Sequence, residues 1–165
     1  MPKGPAARLT DSVSHPLPPV LSPGPGSHSV LIGFVPAWRG MPLAAAAALQ
    51  VAQKAADTAI KAAEQVTKAA VGPAAPVALA AEQTLKASLL ASMSSMVTSA
   101  SGGADIHMCS VPTPVPPHGP GVVIDGSATV LINNLPACRQ GDTVLEAIGG
   151  PNKIVKGETT VIIGG

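Results

Sequence analysis

The stretch GSATVLINNLPACRQGD, residues 126–142, contains a glycine turn, a Val/Ile strand, a second turn and a Pro-Ala-x-Arg segment that leads to an aspartate. Parts of this order recur along the chain. Gly26–Gly33 (GSHSVLIG) and Gly157–Gly164 (GETTVIIG) match its first half. Pro36–Arg39 (PAWR) and Pro5–Asp11 (PAARLTD) match its second half. Such repetition marks a fold assembled from equivalent units. The units start at Asp11, Asp105 and Asp142, with Asp105 standing where an aspartate should follow Pro36–Arg39. Four residues after each aspartate lie His15, Cys109 and Glu146. If a threefold axis relates the units, these positions meet at it.

Between the second Pro-Ala-x-Arg copy and Asp105 the chain changes character. Residues 41–100 are rich in Ala, Lys, Gln, Glu, Leu and Ser, which apart from Ser are good helix formers. Two helices are expected, about Pro42–Val71 and Val77–Ser99, with Gly72–Pro76 as the break between them. Leu49, Ala56, Ile60 and Val66 fall loosely on one face of the first helix. Leu79, Leu85, Leu89, Met93 and Met96 do so on the second. The spacing predicts a helical hairpin whose faces pack on each other, a role compatible with a docking arm for a partner. The chain thus divides into residues 1–40 plus 101–165 and an insertion at 41–100.

The 165 residues include one Trp, one Phe and no Tyr, so the core must be built from Val, Ile, Leu and Ala. Eighteen prolines and seventeen glycines punctuate short apolar runs, as in a turn-rich β fold. A net charge of +1, without a basic stripe or stacking aromatics, argues against nucleic-acid binding. Two cysteines in different contexts make no disulfide framework and fit a reducing compartment. The first dozen residues lack the apolar core of a secretory leader, which predicts assembly in the cytoplasm. The apolar run from Met41 to Leu49 is too short to span a bilayer.

Residues 105–118, DIHMCSVPTPVPPH, carry the chemistry. In a strand His107 and Cys109 point to the same face, and His118 follows a proline-rich turn that can fold back on them. Three N and S donors from a short segment are most of a tetrahedral zinc site. His15 is the expected fourth ligand, and Glu146 is its rival. The alternative is a group of surface histidines near a thiol.

The Pro-Ala-Ala-Arg motif at 5–8, its variants at 36–39 and 136–139, and the Gly-x-x-x-Val strands resemble the PAAR-repeat proteins, the spike tips of type VI secretion and related contractile injection machines. The resemblance covers the chain outside the insertion. It implies a mainly β fold: a small β-cone with threefold pseudo-symmetric repeats, here interrupted by an Ala-rich helical hairpin. It implies a base seated on a trimeric VgrG-type spike and a structural Zn²⁺ near the apex, held by His15, His107, Cys109 and His118. Trp38 and Cys138 depart from the second Ala of the motif, and Glu146 stands where Cys or His is usual.

The strands Val30–Ile32, Val130–Ile132 and Val161–Ile163 are the expected base or core elements, so Val30, Ile32, Val130, Ile132, Val161 and Ile163 are nominated as the spike-facing residues. His28 is expected to be exposed and Cys138 to be a small packed residue. Arg8, Arg39 and Arg139 are expected at the surface, bonding a nearby carboxylate or turn carbonyl; Asp11, Asp105 and Asp142 cap turns or pair with them. No positioned nucleophile accompanies these aspartates, so no enzyme is expected. The expected function is a spike tip that is assembled in the cytoplasm, ejected, and in transient contact with a target membrane, with an effector or chaperone carried on the hairpin. The alternative is a small zinc hydrolase delivered by such a machine, with His107, Cys109 and His118 as ligands and Glu146 as general base.

Overall fold

The computed structural model describes residues 2–15, 19–109 and 118–165. The proline-rich turn expected before His118 falls in residues 110–117, outside that set. In chain order the elements are β1 (Gly4–Ala6), β2 (Leu31–Ile32), β3 (Val35–Pro36), α1 (Leu43–Ala69), α2 (Ala74–Ala100), β4 (His107–Cys109), β5 (Gly119–Val123), β6 (Leu131–Ile132), β7 (Leu135–Pro136), β8 (Thr143–Glu146), β9 (Pro151–Lys153) and β10 (Glu158–Ile163). The strands pair antiparallel, as β4-β5-β8-β9, β1-β10, β2-β3 and β6-β7. The fold is mixed α and β where the sequence reading expected mainly β. The reason is size: each helix holds 27 residues, whereas the strands are short.

The Pro-Ala-x-Arg copies close into a ring. The Ala7 N–H donates to Cys138 O (2.9 Å), Trp38 N–H to Ala7 O (2.9 Å) and Cys138 N–H to Trp38 O (3.1 Å). A second closed set joins Leu9 to Pro36, Gly40 to Pro136 and Gln140 to Pro5. Every copy thereby satisfies its backbone groups on the next copy, so none folds alone. Because these segments are extended, successive side chains leave on opposite sides. Ala6, Ala37 and Ala137 pack with Ile32, Ile132 and Ile163 in one apolar layer. Ala7, Trp38 and Cys138 enter the next layer, with Val13, Leu21, Val123, Val144 and Ile154. Trp38 is fully buried and fills most of that centre, while Ala7 and Cys138 leave room for it. Burial pushes the Cys138 thiol well up, so it stays protonated and serves as a small packed group.

Each copy is also locked by its own ion pair. The backbone N–H of Arg8, Arg39 and Arg139 donates to Oδ2 of Asp11, Asp105 and Asp142, at 2.8, 2.9 and 2.7 Å. The guanidinium groups grip the same carboxylates. Arg39 and Arg139 are buried, against the expectation of surface arginines, because the ring closes over them.

The hairpin packs through Met41, Ala46, Leu49, Ala56, Met93 and Val97 onto Val122, Ile124, Leu145 and Ala147 of the four-stranded sheet and its flanks. Of the expected apolar positions, Ile60 is half-buried, while Val66, Leu79 and Met96 are exposed. α2 begins three residues before the expected Val77. Pro76 lies in its first turn, where a missing N–H costs no hydrogen bond. Gly72, at φ +58°, makes the reversal.

Candidate metal centre

The strand alternation that builds the apolar layers also builds the site above them. His15 lies two residues beyond Val13, and Glu146 two beyond Val144, so both side chains continue the buried face one step farther. β4 brings in His107 and Cys109, and β5 pairs with it in the register His107 to Gly121 and Cys109 to Gly119. Gly121 is required there: a Cβ would come within 2.9 Å of the Glu146 Cγ. Gly149, at φ +96°, leaves the space that the His118 ring occupies.

One donor atom each from His15, Cys109, His118 and Glu146 lies within 4.8 Å of the other three. The Glu146 carboxylate is fully buried. It meets His15 Nε2 at 3.0 Å and His118 Nδ1 at 2.7 Å. Cys109 Sγ is 3.6 Å from His15 Nε2. His107, the remaining expected ligand, sits beside this group with its Nε2 3.4 Å from Glu146 Oε1. Glu146, the rival ligand in the sequence reading, is thus at the centre. Asn152 was missed: it reaches His15 Nε2 (3.0 Å) and Glu146 Oε2 (3.1 Å). It lies six residues past Glu146, on β9, with no local signal to mark it.

The donor chemistry fits a cation. His107 Nδ1 faces Val20 O at 2.9 Å, so it is the protonated nitrogen, and its Nε2 is left as a buried lone pair with no hydrogen-bond partner among the described residues. A ring N–H held by a backbone carbonyl, with the other nitrogen bare, is the arrangement of a metal-ligating imidazole. His15 Nε2 has a parallel conflict. It faces both acceptor oxygens of Glu146 and the donating amide of Asn152, and no protonation state of one nitrogen satisfies both. A positive ion at the centre resolves both conflicts. Tetrahedral zinc would place its ligand atoms about 3.3–3.8 Å apart, a little wider than the closest His–Glu146 approaches and inside the 4.8 Å spread of the group.

The electrostatics of the metal-free cluster make a prediction. Burial by itself would raise the Glu146 carboxyl. The close approach of His107, His118 and His15 outweighs it and brings the pKa down from 4.5 to about 2. A carboxylate depressed in the folded state adds stability above its unfolded value, and that stability disappears as pH falls through the folded value. In the chelated protein about 3 kcal/mol should therefore be lost between pH ~4.5 and ~2. Urea midpoints across that range check this. In Glu146→Gln that part of the slope vanishes; an unchanged slope would show that Glu146 is not its source.

The residues nominated for a partner surface divide by parity. Ile32, Ile132 and Ile163 point into the first layer at 6–7 % exposure and cannot face a partner. Val30 is half-buried, and Val130 and Val161 are partly exposed. The neighbouring Leu31, Leu131 and Ile162 are more than half exposed, because alternation turns them outward. Phe34, in the β2–β3 turn, is 96 % exposed with φ +65°. The equivalent β6–β7 turn holds Asn133 and Asn134, residues suited to positive φ. Phe34 is costly there on both counts. His28 is exposed, as expected, though in a bend and not a strand.

Neither the curated proteins nor the solved structures hold a match to this chain. The family model described as PAAR motif matches residues 114–165, from before His118 to the end of β10. His118, Glu146 and the Arg139–Asp142 pair lie inside the match; His15, His107 and Cys109 lie outside it. The chain carries a PAAR motif, the motif of the PAAR-repeat proteins, over residues 114–165.

Proposed function

We propose that this protein caps the blunt end of a trimeric VgrG-type spike in a contractile injection machine and gives it a pointed, metal-stapled tip. The PAAR motif over residues 114–165 supports an association with a type VI secretion spike. The observation that carries the finer reading is the outward apolar set Leu31, Phe34, Leu131 and Ile162. An exposed Phe in a left-handed backbone position is explained by a partner that covers it. The closed ring of three Pro-Ala-x-Arg copies supports a pseudo-threefold base, which can present similar contacts to each chain of a trimer.

The metal, in this reading Zn²⁺, is structural. Imidazole, thiolate and carboxylate suit it, and four ligands drawn from His15, His107, Cys109, His118 and Glu146 would hold it. It supplies a crosslink where the cone is too narrow for a hydrophobic core. The hydrolase alternative needs Glu146 as a base, and the contacts of that carboxylate with the histidines favour a structural role instead. The tip would assemble in the cytoplasm and leave with the spike. Co-purification with a co-expressed spike protein tests the proposal. The wild type is retained at one tip per trimer, and Leu31→Asp/Leu131→Asp loses at least about tenfold of the retained tip while keeping its metal. Unchanged retention would refute this base.

A further inference from the structure

The hairpin runs past the metal centre. α2 ends at Ala100, and the chain returns to the ring at Asp105, whose N–H donates to Arg39 O. Ten residues earlier, Leu90 lies against Gly119, the strand partner of Cys109. From Ala100 to Leu90 the helix climbs about 15 Å. From Asp105 to Cys109 the extended chain climbs about 13 Å. Helix and strand thus rise side by side, and Leu90 is level with the metal donors. Residues 74–89 continue for about another 24 Å. α1 agrees: its buried residues end at Ala56. A groove of about 690 Å³ separates the outer part of the hairpin from His118 and Gly149.

The leading end of the molecule is therefore the turn between the helices. Its composition is unlike the rest of the insertion. Residues 69–81, AAVGPAAPVALAA, hold no charged side chain. Val71 and Val77 are 80 % and 69 % exposed, and Val66 and Leu79 are exposed beside them. Just below, Lys86 binds both Glu64 and Glu82, while Lys61 and Lys68 stay exposed. An apolar end above exposed lysines matches the depth profile of a lipid interface, with acyl chains for the valines and anionic headgroups for the ammonium groups. Among the described residues no helix is long and apolar enough to cross a membrane, so the contact is interfacial.

We infer that the hairpin end, through Val66, Val71, Val77 and Leu79 with Lys61 and Lys68, is a lipid-contacting surface that meets an anionic bilayer ahead of the metal-bearing apex. The inference deepens the spike-tip reading and rests on it for its place in the machine. The test is flotation of the full chain with phosphatidylcholine vesicles containing phosphatidylglycerol. The wild type floats. Val71→Asp/Val77→Asp reduces bound protein by about tenfold without changing the circular dichroism or the metal content. Lys61→Gln and Lys68→Gln each weaken binding by about fivefold at low salt, and added salt does the same to the wild type. A wild type that stays at the bottom of the gradient overturns the inference. So does a double variant that still floats, which would place the lipid contact on Leu31 and Phe34; a protein partner would then be the better occupant of the hairpin end. Neither failure touches the spike co-purification result.

Discussion

Cys109→Ser is expected to empty the metal centre and lower Tm by about 10 °C. Serine keeps the size and loses the soft, readily ionised donor, and a hydroxyl does not replace a thiolate on zinc. The effect is large because the site stands where apolar packing has run out. The two inner layers end at Val13 and Val144, and the next residues on that face are His15 and Glu146. A metal present at about 1,000 times its Kd adds about 4 kcal/mol to folding, and for a chain of this size each kcal/mol moves Tm by about 2–4 °C. Elemental analysis of the co-expressed complex should find one metal ion per wild-type chain and none in the variant. Chelator supplies the control. It should bring the wild type down to the Tm of Cys109→Ser and leave the variant where it is. A variant that melts early beside a wild type indifferent to chelator would mean that the cluster is a hydrogen-bonded polar core and no metal centre.

Much of this arrangement is legible in the sequence because repetition carries it. The Pro-Ala-x-Arg copies and the offset of four residues from Asp11, Asp105 and Asp142 bring His15, Cys109 and Glu146 to one place without a contact map. The helical insertion is legible because alanine-rich sequence has few competing conformations. What stays hidden depends on parity and on long-range packing. Whether Ile32 or Leu31 faces the core depends on the register of β2 against β3, and a shift of one residue exchanges the two. The burial of Arg39 and Arg139 depends on closure of the ring, which no single copy reveals. Asn152 reaches the site from β9, a strand with little apolar pattern. The direction of the hairpin past the metal donors is fixed by Leu90 against Gly119, a pair 29 residues apart in sequence.

The second large effect is expected at Asp105, where the helical insertion rejoins the ring. The three ion pairs look alike in sequence, yet their settings differ. Arg8 keeps 15 % side-chain exposure and shares a second carboxylate, Glu158. In the middle pair Asp105 is 1 % exposed and binds Arg39 through Nε at 2.9 Å and Nη2 at 2.8 Å. Among the described residues the only other acceptor of that guanidinium is the backbone carbonyl of Gly26. Removing the carboxylate strands a buried cation, which costs about 3–5 kcal/mol. Asp11→Ala should cost roughly 1–3 kcal/mol, since Glu158 and water remain to Arg8. Urea midpoints of the two variants measure the difference. Asp105→Ala should also lower metal content, because Asp105 fixes the start of the segment that carries His107 two residues later and Cys109 four residues later. The compensating variant Arg39→Met/Asp105→Leu separates the two effects. It removes the stranded charge and should recover most of the stability, while the metal deficit persists if the ion pair sets the path of β4. Full recovery of metal in that double variant would show that the pair contributes stability alone and that the surrounding apolar layers position the ligands.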